Sequence, residues 1–317
     1  MKPRLNLKLM GDWGNANFHI IVGWIAANLR WRSAPGSEFL IYTGTGYRDN
    51  IDAVAKGLVD LAVTTPADVC LEWARAGKYF FEGTPYPHLR ALGYIPQDDR
   101  LVFAVRADTG ITSFADLKSR RYPLRIATTC RDPLNLMSYA VEQVFRAHGI
   151  GPKDIESWGG KWLEHDHPRK CLTWVTRGEA DAAFNEGIMV PQWYELVKTV
   201  PMRFVPMESE ALRELESMGL RPAVHKKERF NSEQDVACLD WSHWAIVVRE
   251  DMSEDIAHLL TAVMVEERSE LESRYRHLPP ERSPMTYPID PYTMWKGLGA
   301  PLHSGAERYY RENGYMS

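Results

Sequence analysis

Leu5, Leu7 and Leu9 alternate with Asn6 and Lys8 and run into Met10, the period-2 pattern of a strand whose two faces differ. Gly11-Asp12-Trp13-Gly14-Asn15-Ala16-Asn17-Phe18-His19 then breaks the pattern with glycines and short polar side chains. From Ile20 to Leu29 the chain is almost continuously apolar and predicts a helix. Strand, glycine-bearing turn and helix start form the unit that places small-molecule sites at strand C-terminal ends. Free N–H groups at such a helix start attract carboxylates or phosphates. An ordinary connection with Asn or Asp as helix cap accounts for the same residues.

The pattern repeats. Ser37–Thr43 reads as a strand running into Gly44-Thr45-Gly46-Tyr47-Arg48-Asp49-Asn50, and Ile51–Lys56 as a helix stopped at Gly57. Asp60–Thr64 reads as a third strand, with Thr65-Pro66-Ala67-Asp68 opening another helix. This β-α-β-α-β-α order favours a parallel or mixed sheet. Leu89–Ile95 and Leu101–Val105 are further strands, and Ser113–Leu117 a capped helix. The rhythm restarts at Leu124–Thr128, followed by Thr129-Cys130-Arg131-Asp132-Pro133 and a helix from about Leu136 to His148. A weak internal echo pairs Gly57–Val63 (GLVDLAV) with Gly178–Phe184 (GEADAAF), one in each half. Trp158–Arg169 reads as irregular and Pro222–Asp240 as a polar surface crossing. Glu208–Gly219 and Glu254–Arg276 carry helical spacing, Trp244–Arg249 reads as a strand, and a short helix closes the tail near Ala306–Glu312.

The 317 residues suffice for two lobes. A hydrophobic fraction of 44% with 25% charged residues is an ordinary globular balance, and a net charge of −4 argues against a protein dedicated to nucleic acid. No apolar run is long enough to span a bilayer. Met1-Lys2-Pro3-Arg4 leads straight into the first strand with no secretory signal. The expectation is therefore a cytoplasmic lean for the chain as given, or a periplasmic protein whose signal was removed. Cys70, Cys130, Cys171 and Cys238 are scattered without CxxC spacing, which is neither a disulfide framework nor a zinc site and adds to the cytoplasmic lean.

Among chemistry-bearing stretches, Glu164-His165-Asp166-His167 invites a metal reading. His165 and His167 share a face if the segment is extended, but a solvated loop is the favoured account. There is no Gly-x-Ser-x-Gly elbow, P-loop or GxGxxG fingerprint.

Several stretches resemble the TAXI family of solute receptors, which serve tripartite (TRAP-type) transporters. The clearest is Pro301-Leu302-His303-Ser304-Gly305-Ala306-Glu307-Arg308-Tyr309-Tyr310-Arg311-Glu312, which looks like that family's C-terminal signature. Val105–Ile111 with Ala115–Lys118 looks like its inter-lobe crossover and next helix, and Tyr42–Val69 is similar to its second strand, glycine loop and acidic-strand segment. The resemblance runs from about Leu7 to Gly314. It implies an α/β, two-lobed type 2 periplasmic-binding-protein-like fold with two hinge crossovers. Lobe 1 would comprise 1–103 and 246–317, lobe 2 would comprise 104–245, and a ligand cleft would lie between them. The first loop, the 128–133 loop and Asn185-Glu186-Gly187 depart from the family pattern and add ionisable groups.

Mapped on that fold, the expected ligand-binding residues are Trp13, Asn15, Asn17, His19, Thr45, Arg48, Thr65, Arg131, Asp132, Asn185, Glu186, Trp241 and His243. Arg131 and Arg48, each where a loop enters a helix, suit bidentate capture of a carboxylate. Trp241-Ser242-His243-Trp244 would supply an aromatic wall or pack in a core. The first expectation is thus cleft binding of a small organic acid, with no cofactor, and with a TRAP-type membrane transporter as partner if the chain is exported. The alternative is a cytosolic decarboxylase, isomerase or lyase on the same fold, acting on a small carboxylic acid. In it His19 or Glu186 would move a proton, and a divalent metal near His165 and His167 would strengthen it.

Overall fold

The computed structural model describes residues 2–14 and 16–317. It divides into two compact units, Met1–Asp98 with Ser242–Ser317 (unit 1) and Asp99–Trp241 (unit 2). The chain crosses between them at Asp98/Asp99 and at Trp241/Ser242. Both crossings fall a few residues before the sequence-based boundaries at 103/104 and 245/246. The reason lies in the strands expected to cross: Arg100–Arg106 is wholly a strand of the second sheet, and Trp244–Arg249 wholly a strand of the first.

Unit 1 contains β1 (Asn6–Met10), β2 (Glu38–Tyr42), β3 (Leu61–Thr64), β4 (Leu89–Ile95) and β12 (Trp244–Arg249). Its helices are α1 (Asn17–Arg32), α2 (Arg48–Ala55), α3 (Val69–Ala76), α10 (Glu254–Glu266), α11 (Arg268–Ser273) and α12 (Ser304–Glu312). The strand order is β2-β1-β3-β12-β4. β1 runs parallel to β2 and β3, whereas β12 is antiparallel to β3 and β4. Ile21, Val22, Trp24, Ile25 and Leu29 of α1 are fully buried, so the apolar run read from sequence is core.

Unit 2 contains β5 (Arg100–Arg106), β6 (Arg125–Thr129), β7 (Lys161–His165), β8 (Ala182–Glu186), β9 (Met202–Val205), β10 (Pro222–His225) and β11 (Val236–Asp240). Its helices are α4 (Phe114–Arg120), α5 (Leu136–Ala147), α6 (Pro152–Ser157), α7 (Pro168–Thr176), α8 (Pro191–Thr199) and α9 (Ser209–Ser217). The order is β10-β11-β5-β8-β6-β7, with β9 also paired to β5. β6 is parallel to β7 and β8, and β5 is antiparallel to β8. Phe103 anchors an aromatic core, with ring centroids 5.2 Å from Phe114, 5.5 Å from Phe145 and 5.2 Å from Phe184, separations at which ring pairs attract.

The stretch read as irregular and the one read as a polar surface crossing both contain regular elements. The Trp158–Arg169 stretch contains β7 and the start of α7, and Pro222–Asp240 contains the hairpin strands β10 and β11. β7 and β10 end their sheet and bury one residue each, Trp162 and His225, so neither shows the apolar alternation of an inner strand.

The internal echo is physical. The Asp60 backbone N–H donates to Lys8 O (2.8 Å) while its carboxylate accepts from Lys8 N (2.8 Å). In unit 2, Asp181 N donates to Arg125 O (2.8 Å) and its carboxylate accepts from Arg125 N (3.1 Å). Each aspartate staples its following strand, β3 or β8, to the parallel neighbour, β1 or β6.

Candidate functional site

In unit 1 the C-terminal ends of the parallel strands β1, β2 and β3 carry three polar loops. Asp12, 3% exposed, accepts from Phe18 N (3.3 Å) and His19 N (2.8 Å). The chain's own carboxylate thus fills the positive start of α1 that the sequence offered to a ligand. A Cβ on Gly11 would stand 2.7 Å from His19 Cα, so only glycine allows the helix this close to the strand. Asn50, fully buried, ties the loops together. Its amide donates to Gly11 O (3.2 Å) and Val63 O (2.8 Å), and its Oδ1 accepts from Gly46 N (3.2 Å).

The predicted unit 1 residues fall around this hub. Trp13 has φ +26° and donates its backbone N–H to Gly44 O (2.9 Å). Asn15 lies outside the described residues. Asn17 Oδ1 accepts from Tyr275 Oη (3.1 Å), and burial pushes that phenol's pKa up, with Asp12 adding to it. His19 is half-buried, and its Nδ1 is buried with no hydrogen-bond partner among the described residues. Thr45 donates through both N and Oγ1 to Asp49, at 2.6 Å each. Thr65 Oγ1 donates to His243 O (3.1 Å). His243 has φ +69° and stacks on Tyr94 at 4.0 Å and 6°. Its Nδ1 accepts from Gln97 N (3.4 Å), so it serves the backbone.

Arg48 departs from the anchoring role expected of it. Its guanidinium donates to Phe80 O (2.6 Å) and lies over the Phe80 and Phe81 rings at 5.7 and 5.2 Å. It holds a turn of unit 1 in place.

In unit 2 the ends of β6, β7 and β8 form the corresponding face. Arg131, just past β6, pairs with Glu164 of β7 through its Nε, and its side chain is 31% exposed. Glu156 lies 3.7 Å away and the Trp162 ring 5.1 Å away. Asp132 Oδ1 accepts from Leu134 N (2.7 Å), closing a local turn. Asn185, 1% exposed, donates to Pro168 O (2.8 Å) and accepts from Glu186 N (2.7 Å). Glu186 Oε1 accepts the indole N–H of Trp241 (3.1 Å). Trp241 and Trp244 are 0% and 2% exposed, which makes both core residues and not the walls of an open surface.

The metal reading does not assemble. His165 Nδ1 sits 2.6 Å from Asp166 Oδ1, and His167 Nδ1 accepts from Arg169 N (3.3 Å), capping α7. No group of three or more His, Cys, Asp or Glu side chains suited to a metal ion occurs among the described residues. The four cysteines are free, and burial pushes the Cys70, Cys171 and Cys238 thiols up to about 12. Sequence reasoning passed over Asn50 as a hub, and also Asp99 and Arg229, buried charges beside Glu186.

Two α/β units joined by two crossings, each with polar loops at the ends of parallel strands, define the fold of the periplasmic binding proteins. The comparisons agree. The chain is similar to a periplasmic transporter (TM-score 0.54, 10% identity, 98% of this chain and 93% of that chain). It is similar to a TctC solute binding protein from Polaromonas (TM-score 0.52, 11% identity, 99% and 97%). It is similar also to PhnD1 from Prochlorococcus marinus in complex with methylphosphonate (TM-score 0.51, 13% identity, 98% and 98%). At these identities the likeness is one of fold. The family is set by sequence: residues 32–314 match the NMT1-like family, and the chain belongs to it.

Proposed function

We propose that this protein is a solute receptor of TAXI-like type that binds a small organic acid, with Arg131 as the carboxylate anchor. The observation that carries the reading is the state of that guanidinium. It stands at the C-terminal end of a parallel strand and is about a third exposed. Its partner is a surface carboxylate, a kind of pair worth about 0–1 kcal/mol. A ligand carboxylate that takes Glu164's place bidentately makes the stronger, charge-assisted contact. Arg48 offers no such exchange, since its guanidinium is committed to Phe80 and Phe81. One neighbour on this fold holds methylphosphonate, so the fold accommodates a small anion. As a receptor the protein works outside the cytoplasm with a TRAP-type membrane transporter, and the cytoplasmic lean drawn from the cysteines gains no support from the neighbours.

Calorimetry with a panel of mono-, di-, keto- and aromatic carboxylic acids tests the reading. Binding by at least one class, lost in Arg131→Gln, is the expected result. No binding by any class, or binding unaffected by that substitution, overturns it.

A second reading, an enzyme acting on a small carboxylic acid, draws on one observation, the buried Nδ1 of His19, which has no hydrogen-bond partner among the described residues. Turnover of a bound acid that disappears in His19→Ala would favour it. A ligand recovered unchanged after prolonged incubation would sink it.

A further inference from the structure

We propose that unit 2 carries a second binding site, for a zwitterionic peptide of two or three residues, in the cavity at the outer edge of β9.

Backbone parity opens that edge. Ala107 N donates to Pro201 O (2.9 Å), on the β9 side of β5, while Arg106 N donates to Asp181 O (2.8 Å), on the β8 side. Alternate residues of an antiparallel strand bond to opposite sides. Arg203 and Val205, opposite Val105 and Phe103, therefore bond to β5, and the backbone N–H and C=O of Met202 and Phe204 point away from it. No strand other than β5 pairs with β9 among the described residues. Pro206 has no N–H with which to extend the ladder, and the chain next meets β11 at Met207, whose N–H donates to Ala237 O (2.9 Å). Between β9 and residues 232–236 lies a cavity of about 300 Å³, at the small end of the ligand-pocket range of about 300–1,000 Å³. Phe204 is 4% exposed, and backbone groups on so buried a residue ordinarily bond to a partner.

The charges at the cavity name the ligand. Arg203 and Glu233 both line it, the first half-buried and the second exposed. Neither side chain makes a hydrogen bond or ion pair with another described residue. The neighbouring carboxylates are committed, Asp108 to Arg106 (2.6 Å) and Asp235 to Lys226 (3.2 Å) and Lys227 N (2.8 Å). A guanidinium partly withdrawn from water without a carboxylate beside it carries a cost, which a ligand carboxylate removes in charge-assisted bonds. Glu233 offers the opposite charge to an ammonium group. A short peptide has both charged ends, and between them an amide that pairs with a free strand edge. A free amino acid has no such amide. Val236 beside Met202 and Phe204 gives small apolar side chains a place to pack. The site is separate from Arg131. Met202 pairs with Arg106 at the C-terminal end of β5, which is antiparallel to β8, whereas Arg131 follows the C-terminal end of β6, which is parallel to β8. The two therefore lie at opposite ends of the sheet.

Calorimetry of the full chain with dialanine, trialanine, free alanine and N-acetyl-dialanine amide, whose two ends are uncharged, tests the site. The expected result is binding by dialanine or trialanine, with free alanine and the blocked peptide weaker by about tenfold or more. Arg203→Gln should weaken peptide binding by about tenfold and Glu233→Gln severalfold, while Arg131→Gln leaves it unchanged. Backbone amide chemical shifts on titration with the bound peptide should move at Met202–Phe204 and along residues 232–236. Binding by neither peptide, an affinity unmoved by Arg203→Gln, or a loss of peptide binding in Arg131→Gln would overturn the assignment.

Discussion

Asn50 offers the sharpest test of how unit 1 holds its polar loops. Asn50→Ala removes two donated hydrogen bonds, to Gly11 O and Val63 O, and the acceptor for Gly46 N. Each neutral bond contributes about 1 kcal/mol net, and a buried group left without a partner costs about 1–3 kcal/mol. Gly46 N–H is the group most exposed to that penalty, since Gly46 is itself buried. The expected loss is about 3–4 kcal/mol. At about 2–4 °C per kcal/mol for a unit of 150–250 residues, Tm should drop by about 6–16 °C. Asn50→Asp separates hydrogen bonding from volume. The carboxylate keeps the acceptor for Gly46 but faces two carbonyl oxygens with no N–H to offer them. It should therefore destabilise at least as much as alanine at neutral pH and recover in acid, once the carboxyl gains a proton to donate. Urea denaturation of wild type and both variants at two pH values decides the matter. A loss below about 1 kcal/mol for alanine, or an aspartate variant as stable as wild type at neutral pH, would refute the hub, because buried polar groups left unpaired carry the penalty used above.

Arg48→Met should cost about 1–2 kcal/mol in urea denaturation, by removing a half-buried charge-assisted bond to Phe80 O, and should leave calorimetric affinity for carboxylates intact. Arg131→Gln should change stability by less than about 1 kcal/mol while abolishing carboxylate binding. His148 stacks on Phe114 at 3.8 Å and accepts at Nε2 from Glu208 N (3.1 Å). Burial lowers its pKa, so the unfolded chain takes up the proton first and stability falls as pH drops below about 6.5. His148→Gln should flatten that slope in thermal scans. For Asp181, burial alone would raise the carboxyl, but its bonds from the Arg125 side chain and backbone hold it below the usual carboxylate range. Its stabilisation is present above about pH 4 and lost as pH falls through the lowered value. Asp181→Asn should remove that acid limb from the stability curve.

What the sequence made legible follows from where information about burial resides. Alternation and glycine punctuation suffice for β1 to α3, because β1, β3, α1, α2 and α3 each bury an apolar face while β2, an edge strand with exposed Leu40, Ile41 and Tyr42, is marked by its β-favouring residues and the glycine loop after it. The echo of Asp60 and Asp181 was readable as similarity, though not as the paired backbone bonds it turned out to make. β7 and β10 were missed because ladder hydrogen bonds at a sheet edge need no apolar alternation. The two arginines show the limit most plainly. Arg48 and Arg131 follow equivalent polar loops, and nothing within either loop distinguishes them. The difference lies in Phe80 and Phe81, far along the chain from Arg48, and in Glu164, far from Arg131. Asp99 and Arg229 were passed over for the same reason, since a charged residue in a polar stretch reads as exposed until the fold closes over it.

The polar ends of the strands are satisfied from within, and this constrains how a ligand can bind. Asp12 caps α1, Asp49 holds Thr45, Asn135 accepts from Ser138 N at the start of α5, and His167 accepts from Arg169 N at the start of α7. A helix start already occupied by the chain's own carboxylate has little attraction left for a second anion. On the receptor reading proposed above, an incoming acid would bind by exchange, displacing an internal partner whose own contact is weak. Among the positions considered, the exposed Arg131–Glu164 pair meets that condition, whereas the buried Asp12 does not. If exchange is the mode, weakening the internal competitor should strengthen binding. Glu164→Gln should raise the affinity for a carboxylate ligand severalfold in calorimetry, and Asp12→Asn should not. The opposite order, with Asp12→Asn gaining affinity and Glu164→Gln unchanged, would move the anion site from unit 2 to the start of α1.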